Sequence, residues 1–351
     1  MKLAMIGLES SGKTTVFNAL TGAEKEVGAF GKIEAHLSVV KVPDERLEWL
    51  SDLYNPRKTV YASIEFVDIP GSINDSSDPK ITASCREVDA LVFVIRAFED
   101  PNVPHPLNSV DPLRDLEQIQ TGLVLADMAI AEKRLEKLEK SISKGAASKE
   151  DKDEFAAIRK VMDRLEEEEP ASRAGLTEQE EKSIRSFQFL TLKPFLVLLN
   201  VSDNELNSPA TEKTLSSLPE AMAISASMEA EIRRLDEEDR KAFLEDLGVK
   251  ELSLNAFIRK AYGTLGLISF FTVGEDEVRA WTVKEGTPAV KAAGKIHSDL
   301  ERGFIRAETF SFEDLREKGS EREVKNAGLF RLEGKGYIVK DGDILSIKFN
   351  V

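Results

Sequence analysis

Short apolar runs that end in polar turns recur through much of the chain. The clearest are residues 3–6, 90–95 and 194–199, and weaker ones lie at 37–42 and 64–67. Continuous apolar runs of this length are typical of parallel strands buried on both faces. A helical pattern over Lys13–Leu20 follows the first run. Strands that alternate with helices predict a doubly wound α/β domain.

A different periodicity separates the runs at 90–95 and 194–199. Apolar residues recur there at helical spacing on a narrow seam, which shifts once by one residue and is interrupted around Gly145. The seam comprises Leu116, Ile119, Leu123, Ala126, Ile130, Ala131, Leu135, Leu138, Ile142, Phe155, Ile158, Met162 and Leu165. We predict an inserted α-helical hairpin that resembles a coiled coil; two packed helices of a bundle are the alternative.

The last part of the chain changes pattern again. Segments 268–273, 277–283, 337–339 and 344–349 resemble strands, and residues 288–297 resemble a helix. Asp341-Gly342-Asp343 predicts a tight turn that pairs the last two strands. These elements predict a small α+β module. The predicted domains are therefore residues 1–110 with 188–265, the insertion 111–187, and the module 266–351.

Composition limits the class of protein. The 351 residues carry a net charge of −15, which argues against a chain that coats nucleic acid. No apolar run approaches the roughly 20 residues that span a bilayer, so we expect no membrane partner. The first residues read as a strand rather than a signal peptide. The single cysteine, Cys85, excludes an internal disulfide, and we expect a cytoplasmic protein.

The strongest chemical motif follows the first predicted strand. Residues 7–14, GLESSGKT, match the GxxxxGK[ST] pattern of a P-loop at every fixed position. Backbone N–H groups of such a loop surround phosphates, its lysine neutralises them, and its hydroxyl binds Mg²⁺. The predicted phosphate-binding residues are Leu8, Glu9, Ser10, Ser11, Gly12, Lys13, Thr14, Thr15 and Gly71, and the predicted metal ligands are Thr14 and Asp68.

Two later motifs complete a nucleotide site. Asp68-Ile69-Pro70-Gly71 is a DxxG after a predicted strand, which places a carboxylate near Mg²⁺ and a glycine N–H near the γ-phosphate. Asn200-Val201-Ser202-Asp203 and Ser225-Ala226-Ser227 are each weak alone, because Asx turns are common. Their order after the P-loop predicts base-binding residues, namely Asn200, Val201, Asp203, Ser225, Ala226 and Ser227.

With these motifs, the whole chain resembles the YchF/Obg-like ATPases of the P-loop GTPase superclass. The resemblance is carried by GLESSGKTTVFNALTG, DIPG, DPLRDLEQIQTGLVLAD and, most specifically, the C-terminal strings that end in FRLEGKGYIVKDGDILSIKFN. It implies that the last module is a TGS-like β-grasp domain. It also implies ATP or GTP as ligand, Mg²⁺ as cofactor, and association with ribosomes.

The chain departs from the family at three points. Lys32 stands where the family has a threonine that binds Mg²⁺ in the triphosphate state. Ser72 follows the DxxG motif, where the family usually has an apolar residue and Ras-like enzymes have a glutamine that orients water. At the base pocket Val201 and Asp203 replace the Lys of NKxD and the Glu of the family's NxxE. The choice between adenine and guanine therefore stays open, as does the rate of hydrolysis.

The leading hypothesis is a slow P-loop ATPase or GTPase whose nucleotide state regulates its association with ribosomes. Five lysine and arginine residues of the C-terminal module are candidate contacts with ribosomal RNA, with a solvated surface of mixed charge as the alternative: Lys284, Lys291, Lys295, Arg302 and Arg306. The alternative is a nucleotide-binding scaffold with little or no hydrolysis. A small-molecule kinase is disfavoured because a β-grasp-like module takes the place of a substrate lid. The sequence leaves the oligomeric state undetermined.

Overall fold

The computed structural model describes residues 1–22, 36–71, 79–246 and 251–350. Its strands are β1 Lys2–Ile6, β2 His36–Lys41, β3 Lys58–Val60, β4 Ser63–Asp68, β5 Ala90–Arg96, β6 Phe195–Asn200, β7 Ala221–Ile224, β8 Leu267–Thr272, β9 Glu277–Lys284, β10 Phe304–Ser311, β11 Arg331–Glu333 and β12 Asp343–Phe349.

The α-helices of the same residues are α1 Lys13–Thr21, α2 Glu45–Tyr54, α3 Pro79–Arg86, α4 Pro112–Ser143, α5 Lys149–Leu165, α6 Glu178–Ile184, α7 Pro209–Ser217, α8 Ala226–Arg234, α9 Glu237–Asp246, α10 Ser253–Thr264, α11 Ala289–Ile296, α12 Ser298–Arg302, α13 Phe312–Lys318 and α14 Glu321–Asn326.

The chain divides into two compact units. The first comprises Met1–Ser38 with Glu65–Leu254, and the second comprises Val39–Ile64 with Asn255–Val351. The domain boundaries at 110, 188 and 265 stay a prediction, whereas residues 39–64 lie in the same unit as the C-terminal part of the chain.

A six-stranded sheet in the order β2-β4-β1-β5-β6-β7 organises the first unit. The pairs from β4 through β7 are parallel, so their carboxyl ends share one edge. Ala90 to Arg96 of β5 are all buried, as the continuous apolar run predicted. The predicted doubly wound α/β fold is confirmed, and the carboxyl edge is where such sheets bind ligands.

The insertion forms the predicted pair of long helices, α4 and α5. They share a core with residues 171–189, in which Leu135 and Leu138 of α4 and Ile158 and Val161 of α5 are almost fully buried. Asp111 caps α4 and Ser148 caps α5 with a capping box, which defines both helix starts. The seam therefore encodes a helix pair whose first part, at Leu116 and Ile119, packs in the core of the sheet.

Buried Asp127 of α4 holds the base of this insertion. Its carboxylate accepts hydrogen bonds from Arg86 Nη1, at 2.9 Å, and from the backbone N–H groups of Leu190 and Thr191, at 2.9 and 2.8 Å. Because Asp127 has no exposed surface, these hydrogen bonds offset the free-energy cost of burying its charge.

The second unit contains a sheet in the order β11-β10-β12-β8-β9-β3, with helices beside it. It is the expected α+β arrangement, but the predicted hairpin of its last two strands is wrong. Residues 337–339 form no strand; β12 pairs antiparallel with β10 and parallel with β8. The turn at Asp341-Gly342-Asp343 exists, because Asp343 N donates to Lys340 O at 3.1 Å.

Residues 39–64 supply α2 and the edge strand β3 to this second unit. Arg46 of α2 binds Asp341 through Nη1 at 2.7 Å, and Tyr54 donates to Glu321 at 2.6 Å. Trp49 packs edge-to-face on Phe312 with ring centroids 5.4 Å apart. Contacts at such long sequence separation leave no periodic signal in the sequence.

Candidate functional site

The P-loop of residues 7–12 connects the buried strand β1 to α1. Gly12 has φ of 89° and Ser10 has φ of 59°, so the backbone turns sharply through the left-handed region. A Cβ on Gly12 would lie 2.2 Å from Asn200 Nδ2, and one on Gly7 would lie 2.3 Å from Val94 O. Gly12 is therefore required both by its conformation and by the lack of space, and Gly7 by the lack of space.

Lys13 is the first residue of α1, and its side chain folds back over the loop. Its ammonium donates to Leu8 O at 2.8 Å and to Gly7 O at 3.0 Å, and the residue is 9% exposed. Burial lowers the pKa of Lys13 to about 8, against the opposing effect of Asp68 and Glu9. A polyphosphate bound here would stabilise the charged form, because an adjacent anion favours an ammonium.

Thr14 and Asp68 meet beside the loop. Thr14 Oγ1 donates to Asp68 Oδ2 at 3.4 Å, although the two residues are 54 positions apart in sequence. Asp68 is 4% exposed and ends β4, which pairs with β1 so that Met5 stands opposite Asp68. The parallel register of the two strands thus brings the predicted metal ligands together.

The remaining predicted phosphate contacts differ in exposure. Glu9 and Ser10 are exposed, Thr15 is half-buried, and Ser11 and Leu8 are buried. Gly71 is exposed with φ of 102°, and a Cβ there would lie 2.7 Å from Ile81 Cδ1. Lys32 and Ser72 lie outside the described residues.

Asn200 joins the P-loop to the predicted base loop. Its side-chain Nδ2 donates to Ser11 O at 3.1 Å, and its Oδ1 accepts the N–H of Ala226 at 3.1 Å. Asn200 is 4% exposed and ends β6, at the carboxyl edge of the sheet. One buried amide therefore sets the spacing between the two loops.

Asp203, Ser225 and Ser227 form a hydroxyl–carboxylate cluster. Asp203 Oδ1 accepts hydrogen bonds from Ser225 Oγ and from Ser227 Oγ, the latter at 2.9 Å, and the two hydroxyl oxygens are 3.0 Å apart. Val201, by contrast, is 2% exposed and packs in the core of the first unit. Its side chain is therefore unavailable to a ligand.

Two charged residues of α8 were not singled out from the sequence. Glu229 is 1% exposed, and its Oε1 accepts the N–H of Leu254 at 3.3 Å; burial raises the pKa of Glu229. Arg233 donates to Leu20 O at 2.7 Å, near the end of α1. Both lie on the helix that begins at the base loop, and i, i+4 spacing from 229 to 233 is the sequence signal that relates them.

No helix within the described parts of the chain is long and apolar enough to cross a membrane.

Two family models match the chain. The model described as 50S ribosome-binding GTPase matches residues 2–128, and the YchF-GTPase_C model, described as a protein of unknown function, matches residues 267–350. The first match contains the P-loop and Asp68, and the second lies within the second compact unit.

Full-length relatives are similar throughout. The "Ribosome-binding ATPase YchF" of Bacillus subtilis is 41% identical, over 99% of this chain and 98% of that protein. The protein of the same name from Haemophilus influenzae is 40% identical, over 100% of this chain and 99% of that protein.

A solved structure has the same fold. The YchF GTPase of Schizosaccharomyces pombe superimposes with a TM-score of 0.85 at 32% identity, covering 99% of this chain and 97% of that one. Sequence and structure agree over the full length of the chain. It therefore belongs to the YchF family of P-loop nucleotide-binding proteins.

Proposed function

We propose that the chain is a slow, Mg²⁺-dependent ATPase whose nucleotide state regulates its association with ribosomes. The observation that carries this proposal is the P-loop, in which the Lys13 ammonium is held over two loop carbonyls by β1 and α1. Its phosphate-binding residues are those predicted, Leu8 through Thr15 with Gly71. Its base-binding residues are Asn200, the backbone of Val201, Asp203 and Ser225 through Ser227.

The donor set at the loop suits Mg²⁺. Thr14 offers a hydroxyl and Asp68 a carboxylate, 3.4 Å apart, and Mg²⁺ prefers such hard oxygen ligands together with phosphate oxygens and water. Thr14 and Asp68 would therefore hold the ion. When bound, Mg²⁺ supplies positive charge that offsets the charge of the β- and γ-phosphates.

The chain's own contribution to hydrolysis is positioning and charge neutralisation. Lys13 can exchange the carbonyls of Gly7 and Leu8 for phosphate oxygens with a small movement, because its ammonium already lies within the loop. The N–H groups at the start of α1 point toward the same phosphates. These effects stabilise charge that develops on phosphate oxygens in the transition state.

Adenine is the base that we propose. The bacterial relatives are named as ATPases, and Val201 replaces the lysine that is typical of guanine sites. The carboxylate of Asp203 is already engaged by two hydroxyl groups, which weakens the case for guanine.

Ribosomes are the proposed partner, since the bacterial relatives are named as ribosome-binding. All five lysine and arginine residues named as candidate RNA contacts are exposed. Lys291 is paired with Glu301 at 2.6 Å and Arg302 with Asp299, so their charges are locally balanced. Lys284, Lys295 and Arg306 are thus the more promising RNA contacts. The fraction of the chain that sediments with ribosomal subunits should fall as the salt concentration rises, if the chain binds the phosphates of ribosomal RNA.

Single-turnover hydrolysis of ATP, with and without ribosomes and with and without Mg²⁺, tests the enzymatic part. We expect Mg²⁺-dependent phosphate release that Asp68→Asn reduces at least tenfold, since a neutral amide holds Mg²⁺ less well. Asp153→Asn, at an exposed carboxylate of α5 in the same unit, is the control.

If ATP binds but Lys13-dependent phosphate release is absent under every condition, the chain is a nucleotide-binding scaffold and the ATPase proposal is wrong. If neither ATP nor GTP binds at millimolar concentration, the nucleotide-site proposal fails altogether.

A further inference from the structure

One oxygen of the Asp203 carboxylate is engaged by two side-chain hydroxyl groups. Both Ser225 Oγ and Ser227 Oγ donate to the same oxygen, Oδ1. An ionised carboxylate has about four lone-pair sites, or two on each oxygen. Two hydroxyl donors therefore occupy the acceptor capacity of Oδ1 and leave only Oδ2 for a base.

Guanine and adenine differ in what they require of such an acid. The Watson–Crick edge of guanine presents two adjacent donors, N1–H and the 2-amino group, which together need both oxygens of one carboxylate. Adenine has an acceptor at N1 and no 2-amino group, so it makes no such demand. An occupied Oδ1 leaves one guanine donor unpaired, and an unpaired polar group in a binding site lowers affinity.

The two serines have different structural duties. Ser225 has no exposed surface, and its Oγ also accepts the N–H of Met228 at 3.3 Å, as the N-cap of α8. Its hydroxyl is part of the helix start. Ser227 is exposed, and its Oγ donates to Asp203 and lies 3.0 Å from Ser225 Oγ. Its removal leaves the helix cap in place.

We infer that Ser227 is a specificity-determining residue that excludes guanine by occupying Asp203 Oδ1. This inference rests on the proposed nucleotide site and adds to it the side chain that sets base choice. Ser225 alone would orient the carboxylate and still leave one lone pair of Oδ1 for a guanine donor. The hydroxyl of Ser227 takes that last position.

The test is a titration of ATP, GTP and ITP, with Mg²⁺, against the full chain and three variants. ITP carries N1–H but lacks the 2-amino group of GTP. Ser227→Ala removes the hydroxyl, and Ser227→Thr keeps it. Ser202→Ala removes a hydroxyl of the neighbouring loop, which binds Glu205 at 2.6 Å, and serves as the control.

In Ser227→Ala we expect the GTP dissociation constant to fall roughly tenfold, as one hydrogen bond to a charged group predicts. The ATP constant should change less than the GTP constant, because adenine makes no demand on Asp203 Oδ1, and an unaltered far-ultraviolet circular dichroism spectrum shows that the variant is folded. The GTP-to-ITP affinity ratio should be near one in the unmodified chain and rise about tenfold in the variant. Ser227→Thr and Ser202→Ala should keep the original ratios.

An unchanged GTP-to-ATP ratio in Ser227→Ala, or a parallel gain of GTP and ITP, overturns the inference while the nucleotide site stands. Failure of the unmodified chain to bind any of the three nucleotides overturns the proposed function and this inference with it.

Discussion

The two ends of the candidate nucleotide site are built from different material. At the phosphate end, the loop geometry depends on backbone and on two glycines, Gly7 and Gly12, where a Cβ has no room. At the base end, the arrangement depends on side chains, namely the amide of Asn200 and the hydroxyls around Asp203. Phosphate is thus recognised by a shape that few sequences can form, and the base by groups that single substitutions can change.

This difference explains why one end matches a general motif and the other departs from it. A backbone cradle works for any nucleoside triphosphate, because all of them share the phosphates. Base recognition depends on individual donors and acceptors. A change from NKxD to Asn-Val-Ser-Asp therefore preserves the structure of the loop and alters only its base specificity. We therefore expect substitutions at the phosphate end to affect all nucleotides alike.

Removal of the Lys13 ammonium is the largest expected effect. Lys13→Ala deletes a charge that would pair with the β- and γ-phosphates, and charge-assisted contacts of this kind are the strong ones. We expect ATP and GTP affinities to fall together by about a hundredfold or more, roughly 3 kcal/mol. Isothermal titration of both nucleotides measures this, with Lys133→Ala, at an exposed lysine of α4, as the control.

If Lys13→Ala lost affinity for only one of ATP and GTP, or kept both affinities within about twofold, the comparison between the two ends would be contradicted.

Loss of the Asn200 amide is expected to have an intermediate effect, because this amide connects the phosphate end of the site to the base end. Asn200→Ala leaves Ser11 O and the Ala226 N–H without their side-chain partner. Each buried polar group left unpaired costs about 1–3 kcal/mol. We expect the free energy of unfolding to fall by about that amount and both nucleotides to bind about tenfold more weakly.

Urea denaturation and nucleotide titration measure the two consequences of Asn200→Ala. Asn204→Ala, an exposed amide on the same loop, should change neither. A weakened preference between ATP and GTP with unaltered stability would mean that Asn200 reads the base and does not hold the loops.

The smallest expected effect concerns Glu229, behind the base loop. Burial raises its pKa, so the folded state disfavours the carboxylate. The unmodified chain therefore loses stability as pH rises from the unfolded pKa, about 4.3, through the folded pKa. Glu229→Gln cannot ionise. We expect its stability relative to the unmodified chain to be higher at pH 8 than at pH 4.5.

Denaturation at the two pH values measures this, with exposed Glu231→Gln of the same helix as the control. A relative stability of Glu229→Gln that falls as pH rises would show that the ionised carboxylate is net stabilising at the start of α10.

Much of the fold was predictable because its signals are local. The apolar runs of β1, β5 and β6 and the helical seam of α4 and α5 each lie within one stretch of sequence. The P-loop is likewise a contiguous motif, so its turn and its helix start followed from eight residues.

Long-range pairings were not predictable. Strand β10 is the antiparallel partner of β12. Its mixed polar pattern does not predict a strand, so the sequence instead predicted a hairpin between residues 337–339 and 344–349. The three residues of β3 pair with β9, more than 200 positions away. The bonds from Ser225 and Ser227 to Asp203 likewise depend on how the carboxyl ends of β6 and β7 are brought side by side.

Hydrogen–deuterium exchange of the full chain, with and without saturating Mg²⁺ and ATP, tests most directly whether one nucleotide engages both ends. Simultaneous protection of backbone amides in residues 8–15 and 225–228 is the predicted result, and Lys13→Ala should abolish both at the same ATP concentration. Protection at one end alone, or at neither while ATP is bound, would contradict the account.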